Sequence, residues 1–394
     1  MLETLTPQPP DKIIQLSQMF RADPRTDKID LGVGVYKDAD GHTPIMRAVK
    51  QAERRLWDEE TTKTYTAIVG DGGFHIAMAD LVLGDSANAD RLSFAHTPGG
   101  TGAVRQVLEL IKVAAPGATL WLSDPTWPNH PAMVNAVGVP SKTYAYIDPE
   151  TRTVRFNDMM ADLRTAQPGD VVLLHGCCHN PTGANLNQVQ WREVSALLKE
   201  RNLTPFVDIA YQGFGDGIEE DAYGVRLLAH ELPEVLIAAS CSKNFGIYRE
   251  RCGLVITVSR DAEQANLTQG MLSSLNRLNF SFPPDHGARL VTMVLTDPEL
   301  RADWEAELKE VREGMAELRR LLADALRAET GSDRYGFVAE HRGMFSRLGL
   351  SPEQVVTLRE EHGVYMIGDS RVNIAGLSPE RIKVLAKAIV SVGG

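Results

Sequence analysis

The middle of the chain alternates short apolar runs, which are typical of β-strands, with longer amphipathic runs, which are typical of helices. The run "ATLWLSD" precedes "HPAMVNAV", "DVVLLHG" precedes "LNQVQWREVSALLKERN", and "TPFVDIA" precedes "AYGVRLLAHE"; the runs "VLIAAS" and "GLVITVS" come next. Strands that alternate with helices predict a mostly parallel sheet with helices on both faces. The sequence therefore predicts an α/β fold.

The pattern changes at about Asp297, where a long charged helix is predicted over "DPELRADWEAELKEVREGMAELRRLLADALRAE". A chain of 394 residues exceeds the size at which single cores stop growing, roughly 250 to 300 residues. A short helix is also predicted near the start, in "PPDKIIQLSQMFRAD". We predict a large domain over residues 40–305 and a small α/β domain formed by residues 1–39 and 306–394.

Charge and composition narrow the classes of partner. The formal net charge of −11 gives no basic surface for nucleic acid or anionic lipid, so any phosphate must be held by a local site. No run approaches the ~18 apolar residues of a membrane span, and "MLETLTPQPP" lacks the basic and apolar regions of a signal peptide. Four cysteines are too few for a disulfide scaffold in a chain of this length. We expect a cytoplasmic protein.

Polar side chains follow several predicted strands at the point where each strand ends. Asn180, Asp208, Tyr211 and Lys243 all lie at such positions. The 28 residues from Asn180 to Asp208 and the 35 from Asp208 to Lys243 are each about enough for a strand–helix–strand crossover. Ligands of open α/β sheets bind outside the carboxyl ends of the strands. We therefore expect these four residues to share one crevice.

Glycines stand directly before a predicted helix in "TPGGTGAVRQVLELIK". The free N–H groups and the dipole of a helix N-terminus bind anions, so Gly100 and Thr101 are candidate phosphate ligands. Ser240, Ser242 and Arg251 lie close in sequence to Lys243 and would complete the site. A plain tight turn is the alternative interpretation of the glycines.

Six motifs in order resemble those of the aspartate and aromatic amino-acid aminotransferases, which are class I, fold-type I enzymes that use pyridoxal phosphate. They are "PGGTGA" (98–103), "DPTWPNH" (124–130), "HNPTG" (179–183), "DIAYQGF" (208–214), "SKNFGIYRER" (242–251) and "RVNIAG" (371–376). The resemblance covers nearly the whole chain. It implies a fold-type I transferase that exchanges amino groups in a two-stage, ping-pong reaction.

Pyridoxal phosphate needs an amine for a Schiff base, a carboxylate for its ring nitrogen and donors for its phosphate. By resemblance, Lys243 is the amine and the proton-transfer group, Asp208 is the carboxylate, and Tyr211 and Asn180 bind the phenolic oxygen. Without the motifs, Lys243 would be an ordinary surface lysine and Asp208 a helix N-cap. The implied cofactor site comprises Tyr65, Gly100, Thr101, Trp127, Asn180, Asp208, Tyr211, Ser240, Ser242, Lys243 and Arg251.

Substrate contacts are also implied. Arg371 would bind the α-carboxylate through its planar guanidinium group, although an arginine on an edge strand is the alternative. Trp127 would stack on the cofactor ring; the alternative is a core tryptophan. By resemblance, His130 would hydrogen-bond Asp208 without contacting the cofactor. The implied substrate site comprises Gly34, Trp127, Asn180, Arg277 and Arg371.

Two of these residues imply a homodimer with shared active sites. By resemblance, Tyr65 reaches the cofactor phosphate of the neighbouring subunit and Arg277 reaches the side chain of its substrate. No periodicity in the sequence indicates this assembly.

The choice of amino donor is open between two alternatives. Arg277, together with Val35, Lys37, Thr43 and Thr101, matches members that prefer aspartate, whereas Thr64 and Phe282 stand where those members commonly carry asparagine. An apolar ring at Phe282 lowers the cost of binding an aromatic side chain. We predict a dual specificity for aromatic and acidic amino acids with 2-oxoglutarate or another 2-oxo acid; the alternative is a strict aspartate aminotransferase.

Three other interpretations are disfavoured. "HGCCH" (175–179) has the residue types of a metal site but no second pair of ligands at zinc spacing, so no metal is expected. "SCSK" (240–243) matches the SxxK pattern of acylases without its companion motifs. A regulator that senses pyridoxal phosphate would need a DNA-binding module, and no basic helix-turn-helix pattern precedes the large domain.

Overall fold

The computed structural model describes residues 1–7, 10–38 and 41–394. The helices are α1 (Lys12–Ala22), α2 (Arg47–Glu59), α3 (Gly72–Leu83), α4 (Gly99–Ala114), α5 (Asn129–Val137), α6 (Phe156–Leu163), α7 (Gln188–Arg201), α8 (Ile218–Asp221), α9 (Tyr223–Glu231), α10 (Ala262–Asn279), α11 (His286–Thr296), α12 (Pro298–Thr330), α13 (Phe337–Glu340), α14 (Pro352–His362) and α15 (Pro379–Ser391). The strands are β1 (Ile29–Asp30), β2 (Leu92–Pro98), β3 (Leu120–Asp124), β4 (Ser141–Ala145), β5 (Val171–His175), β6 (Thr204–Ile209), β7 (Val235–Ser240), β8 (Cys252–Val258), β9 (Phe345–Arg347), β10 (Val364–Tyr365) and β11 (Arg371–Asn373).

The main sheet has seven strands in the order β2-β8-β7-β6-β5-β3-β4. Only β8 runs antiparallel to its neighbours, β2 and β7, so the predicted mostly parallel sheet is confirmed. The antiparallel turn arises because only residues 241–251 join β7 to β8, and parallel neighbours need a longer crossover. This short connection carries Lys243 out of the sheet and returns the chain at Arg251.

Helices cover both faces of the sheet, and each face has its own apolar core. On one face Val107 and Leu108 of α4 pack with Phe206 of β6 and Leu272 of α10. On the other face, residues of α2, α3, α7, α9 and α11 form a larger core. Strands that are buried on both faces consist of continuous apolar runs. For this reason the sequence predicts β5 to β8 correctly.

A separate apolar core joins residues from both ends of the chain. Leu31, near the start, packs with Leu326, Leu358, Val372 and Leu385. Two small sheets lie in this part of the protein, a parallel pair of β1 with β10 and an antiparallel pair of β9 with β11. The sequence-based prediction of a small domain from both chain ends therefore has a structural counterpart in this core, and its boundaries stay a prediction.

Helix α12 connects the two parts. Trp304 in its first half stacks on Phe245 with ring centroids 4.6 Å apart and belongs to the large core. Leu326 in its second half belongs to the small core. The change from one core to the other occurs inside this continuous helix, past the predicted boundary at residue 305.

Within the described residues, no helix is both long and apolar enough to cross a membrane. The longest, α12, has 33 residues, and its exposed side carries ion pairs such as those of Arg320 with Glu317 and Asp324.

Candidate active site

A cavity of about 320 Å³ opens at the carboxyl ends of β5, β6 and β7. It lies where the sequence predicted a crevice, and its volume is in the range of small-molecule sites. The predicted site residues that line it are Gly34, Gly100, Thr101, Trp127, Asn180, Asp208, Tyr211, Ser240, Ser242, Lys243, Arg251 and Arg371.

Asp208 is the carboxylate at the centre of this cavity. His130 of α5, whose ring is fully buried, makes a 2.9 Å hydrogen bond from Nε2 to Asp208 Oδ2, and its Nδ1 lies 2.8 Å from Thr126 Oγ1. Burial by itself raises the pKa of Asp208, but the His130 hydrogen bond and the nearby charge of Lys243 outweigh it and hold the pKa below its ordinary value. The site therefore keeps a negative charge at the end of β6.

Lys243 is the amine of the cavity. Its Nζ lies 4.9 Å from the centroid of the Tyr211 ring. Burial and the positive charge of Arg251 lower its pKa, and the carboxylate of Asp208 opposes them. A lysine with a lowered pKa is more often neutral near pH 7, and the neutral amine is the nucleophile and the proton acceptor.

Asn180 and Tyr211 present polar atoms to the same space. Asn180 Nδ2 donates to Tyr211 Oη at 3.5 Å, whereas Asn180 Oδ1 is buried without a hydrogen-bond partner among the described residues. Burial raises the pKa of the Tyr211 phenol, so the group stays protonated and can donate. An unpaired buried amide oxygen is costly, which indicates that a ligand completes this part of the site.

The N-terminus of α4 forms one wall of the cavity. No side chain caps this helix at Pro98, so its first N–H groups are available to an anion. A Cβ on Gly100 would lie 2.8 Å from Ser240 Cβ, and one on Gly99 would lie 2.4 Å from Arg251 Nη2. The glycines therefore let the helix end, Ser240 and Arg251 approach one another around one small volume.

Arg371, on β11, closes the cavity from the side of the small core. Its Nη2 donates to Gly32 O at 2.9 Å, and its guanidinium lies 4.3 Å from the centroid of the Phe345 ring. Its Nε is buried and has no partner in the part of the chain that the structure describes. The neighbouring Asn373 donates to Val33 O at 2.7 Å and to Val35 O at 2.9 Å, which holds the segment that contains Gly34. One edge of the guanidinium is thus anchored, and Nε remains for a carboxylate.

Tyr65 and Arg277 are not among the residues of this cavity. The Tyr65 side chain is 78% exposed and stacks on Phe282 with ring centroids 4.6 Å apart. The Arg277 guanidinium lies 5.5 Å from the centroid of the same Phe282 ring, and Nη1 donates to Ser281 Oγ at 2.7 Å. The three side chains form a surface cluster, which we call the aromatic–arginine cluster; Tyr65 and Arg277 are exposed in it, and Phe282 is partly buried.

Val35, Lys37 and Thr43, which match members that prefer aspartate, follow Gly34 on the segment that borders the cavity. Lys37 Nζ pairs with Asp30 Oδ2 at 3.1 Å, and Thr43 Oγ1 donates to Tyr36 O at 3.0 Å. Thr64 precedes Tyr65 in the exposed chain before α3.

Several cavity residues were not predicted from the sequence. Phe345, at the start of β9, packs edge-on to Tyr211 with centroids 6.2 Å apart. His175, at the end of β5, lies 3.1 Å from Thr126 Oγ1, and burial lowers its pKa to about 3. Tyr248 accepts a hydrogen bond from the backbone of Tyr36 at 3.2 Å. The position of His175 at a strand end was the one sequence signal that pointed to any of these.

Comparison with known proteins gives consistent matches. A family model described as aminotransferase class I and II matches residues 26–389. An aromatic-amino-acid aminotransferase of Paracoccus denitrificans is 59% identical over 393 residues, and the match covers 100% of both chains. An aspartate aminotransferase of Salmonella typhi is 43% identical and is also covered over 100% of both chains.

A solved structure extends the likeness to three dimensions. It is an aromatic-amino-acid aminotransferase from Burkholderia pseudomallei covalently bound to pyridoxal phosphate. It is 39% identical to this chain, with a TM-score of 0.97, and the match covers 100% of this chain and 99% of that chain.

Proposed function

Because this chain belongs to the class I and II aminotransferases, we propose that its cavity binds pyridoxal phosphate and transfers amino groups between aromatic or acidic amino acids and 2-oxo acids such as 2-oxoglutarate. The observation that supports this most is the meeting of Lys243, Asp208 and Arg371 around one cavity beside an uncapped helix end.

The residues present fit the cofactor. The first turn of α4, Ser240, Ser242 and Arg251 form a cradle for its phosphate, which a Cβ at Gly100 would fill. Asp208 supplies the buried carboxylate for the ring nitrogen, and Asn180 Oδ1 is an orphaned polar atom at the cavity wall. When bound, the cofactor supplies an electron sink and carries the amino group from donor to acceptor.

Each side chain then has a defined task. Lys243 would hold the cofactor covalently; once the substrate amine has taken its place, the freed amine of Lys243 would accept the proton from the substrate Cα and return it to the reacting carbon. Asp208, held by His130, would keep the ring nitrogen protonated, and Trp127 would offer an aromatic wall for the ring. Tyr211 and Asn180 would supply hydrogen-bond donors for the phenolic oxygen. Arg371 binds the α-carboxylate through Nε and one terminal nitrogen.

The active sites are shared within a homodimer. The aromatic–arginine cluster is exposed and outside the cavity of its own chain, as expected for residues that serve a neighbour. In this assembly Tyr65 donates to the partner's cofactor phosphate, and Arg277 binds the side-chain carboxylate of an acidic substrate in the partner's site.

Dual specificity follows from the composition of the same cluster. Arg277 supplies a charge for aspartate and glutamate, whereas the stacked rings of Tyr65 and Phe282 offer an apolar surface. Arg277 is exposed, and it can exchange its contact with the Phe282 ring at 5.5 Å and its hydrogen bond to Ser281 Oγ at 2.7 Å for water, so it can move aside for an aromatic substrate. Strict aspartate specificity is disfavoured, as is a regulatory protein that senses pyridoxal phosphate.

We assign the enzyme to the cytoplasm.

The attachment residue gives the sharpest test of the cofactor site. Reduction of the holoenzyme with borohydride followed by peptide mass spectrometry should find the cofactor fixed to Lys243. The Lys243→Ala variant should carry no fixed cofactor and should lose transamination by at least about 10³-fold. Lys50→Ala, an exposed lysine on α2, is the matched control and should behave as wild type. Fixation on any other lysine of the wild-type protein would refute the assignment.

A further inference from the structure

We propose that Cys177, Cys178 and Asp221 form a binding site for a soft divalent cation, of the class of Zn²⁺ or Cd²⁺, beside the active-site cavity and distinct from the cofactor site.

The three side chains converge although they come from different segments. Cys177 and Cys178 follow β5, and Asp221 ends α8. Their two sulfur atoms and a carboxylate oxygen all lie within 4.8 Å of one another, and all three residues are buried. In a tetrahedral site with metal–ligand distances of about 2.0–2.3 Å, ligand atoms lie about 3.3–3.8 Å apart. Three atoms within 4.8 Å of one another therefore need to approach by about 1.5 Å at most to bind the cation.

Asp221 supplies what the sequence pattern lacked. The run "HGCCH" contains two thiols without a second ligand pair. The sequence did not indicate Asp221 as a further ligand because it lies on a later helix. Its carboxylate is already fixed, since Oδ2 accepts from Gly213 N and Gly215 N at 2.8 Å each, and Oδ1 accepts from Asp216 N at 2.9 Å. Oδ2 uses both lone pairs in these bonds, whereas Oδ1 accepts one hydrogen bond and keeps a lone pair for a cation, so the hydrogen bonds orient Oδ1 as the ligand.

A second cavity gives the site a route to solvent. It has a volume of about 270 Å³, and Cys177, Asp221 and His175 line it together with the exposed carboxylates of Asp216 and Glu220. Arg342 pairs with Asp216 at 2.6 Å and neutralises part of this charge. The remaining acidic character favours entry of a cation, and the cavity has room for a water as the fourth ligand.

The site adjoins the catalytic cavity. Cys177 lines both cavities, and Asn180 follows Cys178 by two residues. A cation that draws the two sulfurs towards Asp221 will shift this segment and disturb Asn180. Occupancy should therefore slow transamination over the same concentration range in which the cation binds.

The test uses untagged holoenzyme and Cd²⁺ as the probe. Equilibrium dialysis with metal analysis should give one Cd²⁺ per chain with a Kd of about 1 μM or tighter, accompanied by a thiolate-to-cadmium charge-transfer band in the ultraviolet. Cys178→Ser should weaken binding at least 10-fold and remove most of the band. Cys241→Ser, which changes a buried thiol elsewhere, is the matched control and should bind as wild type.

Three results would overturn the proposal. They are the absence of the ultraviolet band in the wild-type protein, undiminished binding by Cys178→Ser, and equal losses in Cys178→Ser and Cys241→Ser. The wild-type band needs no variant, so the proposal stays testable even if Cys178→Ser does not fold. Borohydride reduction during these titrations should still fix the cofactor on Lys243. That result supports the proposed function independently of whether the cation binds.

Discussion

At the scale of single residues, the candidate active site is a set of buried polar groups. The free-energy cost of removing each group from water is offset by a specific partner. Asp208 is the clearest case, because burial opposes its charge and the His130 hydrogen bond more than compensates. Arg371 and Asn180 keep an unpaired polar atom each at the cavity, where a substrate or cofactor group can pair with it. Incomplete hydrogen bonding also occurs elsewhere in the interior, for example at His96, so it indicates a ligand site only where the unpaired atom lines a cavity.

His96 is a buried polar residue outside the cavity, and it should make the protein sensitive to acid. Its ring nitrogens have no hydrogen-bond partner in the described structure, and burial lowers its pKa to about 3. Between the unfolded pKa of about 6.5 and that value, the unfolded chain binds a proton that the folded chain does not, so stability is lost as the pH falls. We expect His96 to contribute about 2 kcal/mol of destabilisation at pH 5 relative to pH 8.

The His96→Leu variant measures this contribution. The drop in unfolding free energy from pH 8 to pH 5, obtained by urea titration, should be smaller in the variant by about 2 kcal/mol. Any packing cost of the replacement appears at both pH values and cancels. His230→Leu, at the exposed end of α9, is the control, in which the replacement removes no buried ring. An unchanged pH dependence in His96→Leu would show that the folded protein accommodates the protonated ring.

At the scale of elements, two short features create the site. The β7–β8 connection brings Ser240, Lys243 and Arg251 together, and the first turn of α4 faces them. A Cβ at Gly100 would lie 2.8 Å from Ser240 Cβ and fill the space between these elements. Gly100→Ala should therefore weaken pyridoxal phosphate binding at least about 10-fold, which corresponds to ~1.4 kcal/mol.

Fluorescence or absorbance titration of the apoprotein with the cofactor measures this effect. Gly314→Ala is the matched control, because a Cβ there meets no atom within 4 Å and the position lies within α12. Equal affinities in Gly100→Ala and the control would mean that the phosphate does not bind at this helix end.

The elements also show what the sequence could and could not predict. Strands β5, β6 and β7 were recognisable because burial on both sides imposes continuous apolar runs, and the functional residues at their ends followed from the motifs. Phe345 was missed because it reaches the cavity from a three-residue strand that has no periodic pattern. Asp221 was missed because its proximity to Cys178 depends on how α8 packs, which local sequence does not encode.

At the scale of the whole molecule, both apolar cores contribute to the site, and in the proposed homodimer the partner chain completes it. Arg371 comes from the part built around the small core, and Lys243 comes from the main sheet. The aromatic–arginine cluster is exposed on its own chain, which is consistent with the proposal that it serves a neighbour.

Hybrid dimers test the shared site. The Lys243→Ala homodimer should lack aspartate transamination, and the Arg277→Ala homodimer should keep at most about a thirtieth of it. When the two chains are refolded together in equal amounts, half of the dimers are hybrids, and each hybrid has one site with both residues intact. Aspartate activity should then return to roughly a quarter of the wild-type value. No recovery after co-refolding would contradict an Arg277 that acts in the partner's site.

The central claim is that one cavity accepts both aromatic and acidic amino donors, with Arg277 needed for only the acidic ones. The most direct measurement is kcat/KM for phenylalanine and for aspartate, with 2-oxoglutarate as acceptor, in the wild type and in Arg277→Ala. We predict that the wild type uses both donors, that Arg277→Ala loses about 30-fold or more on aspartate because a charged hydrogen-bond partner is removed, and that its phenylalanine value stays within about 10-fold of wild type. Undetectable phenylalanine turnover by the wild-type enzyme would contradict the account and identify a strict aspartate aminotransferase.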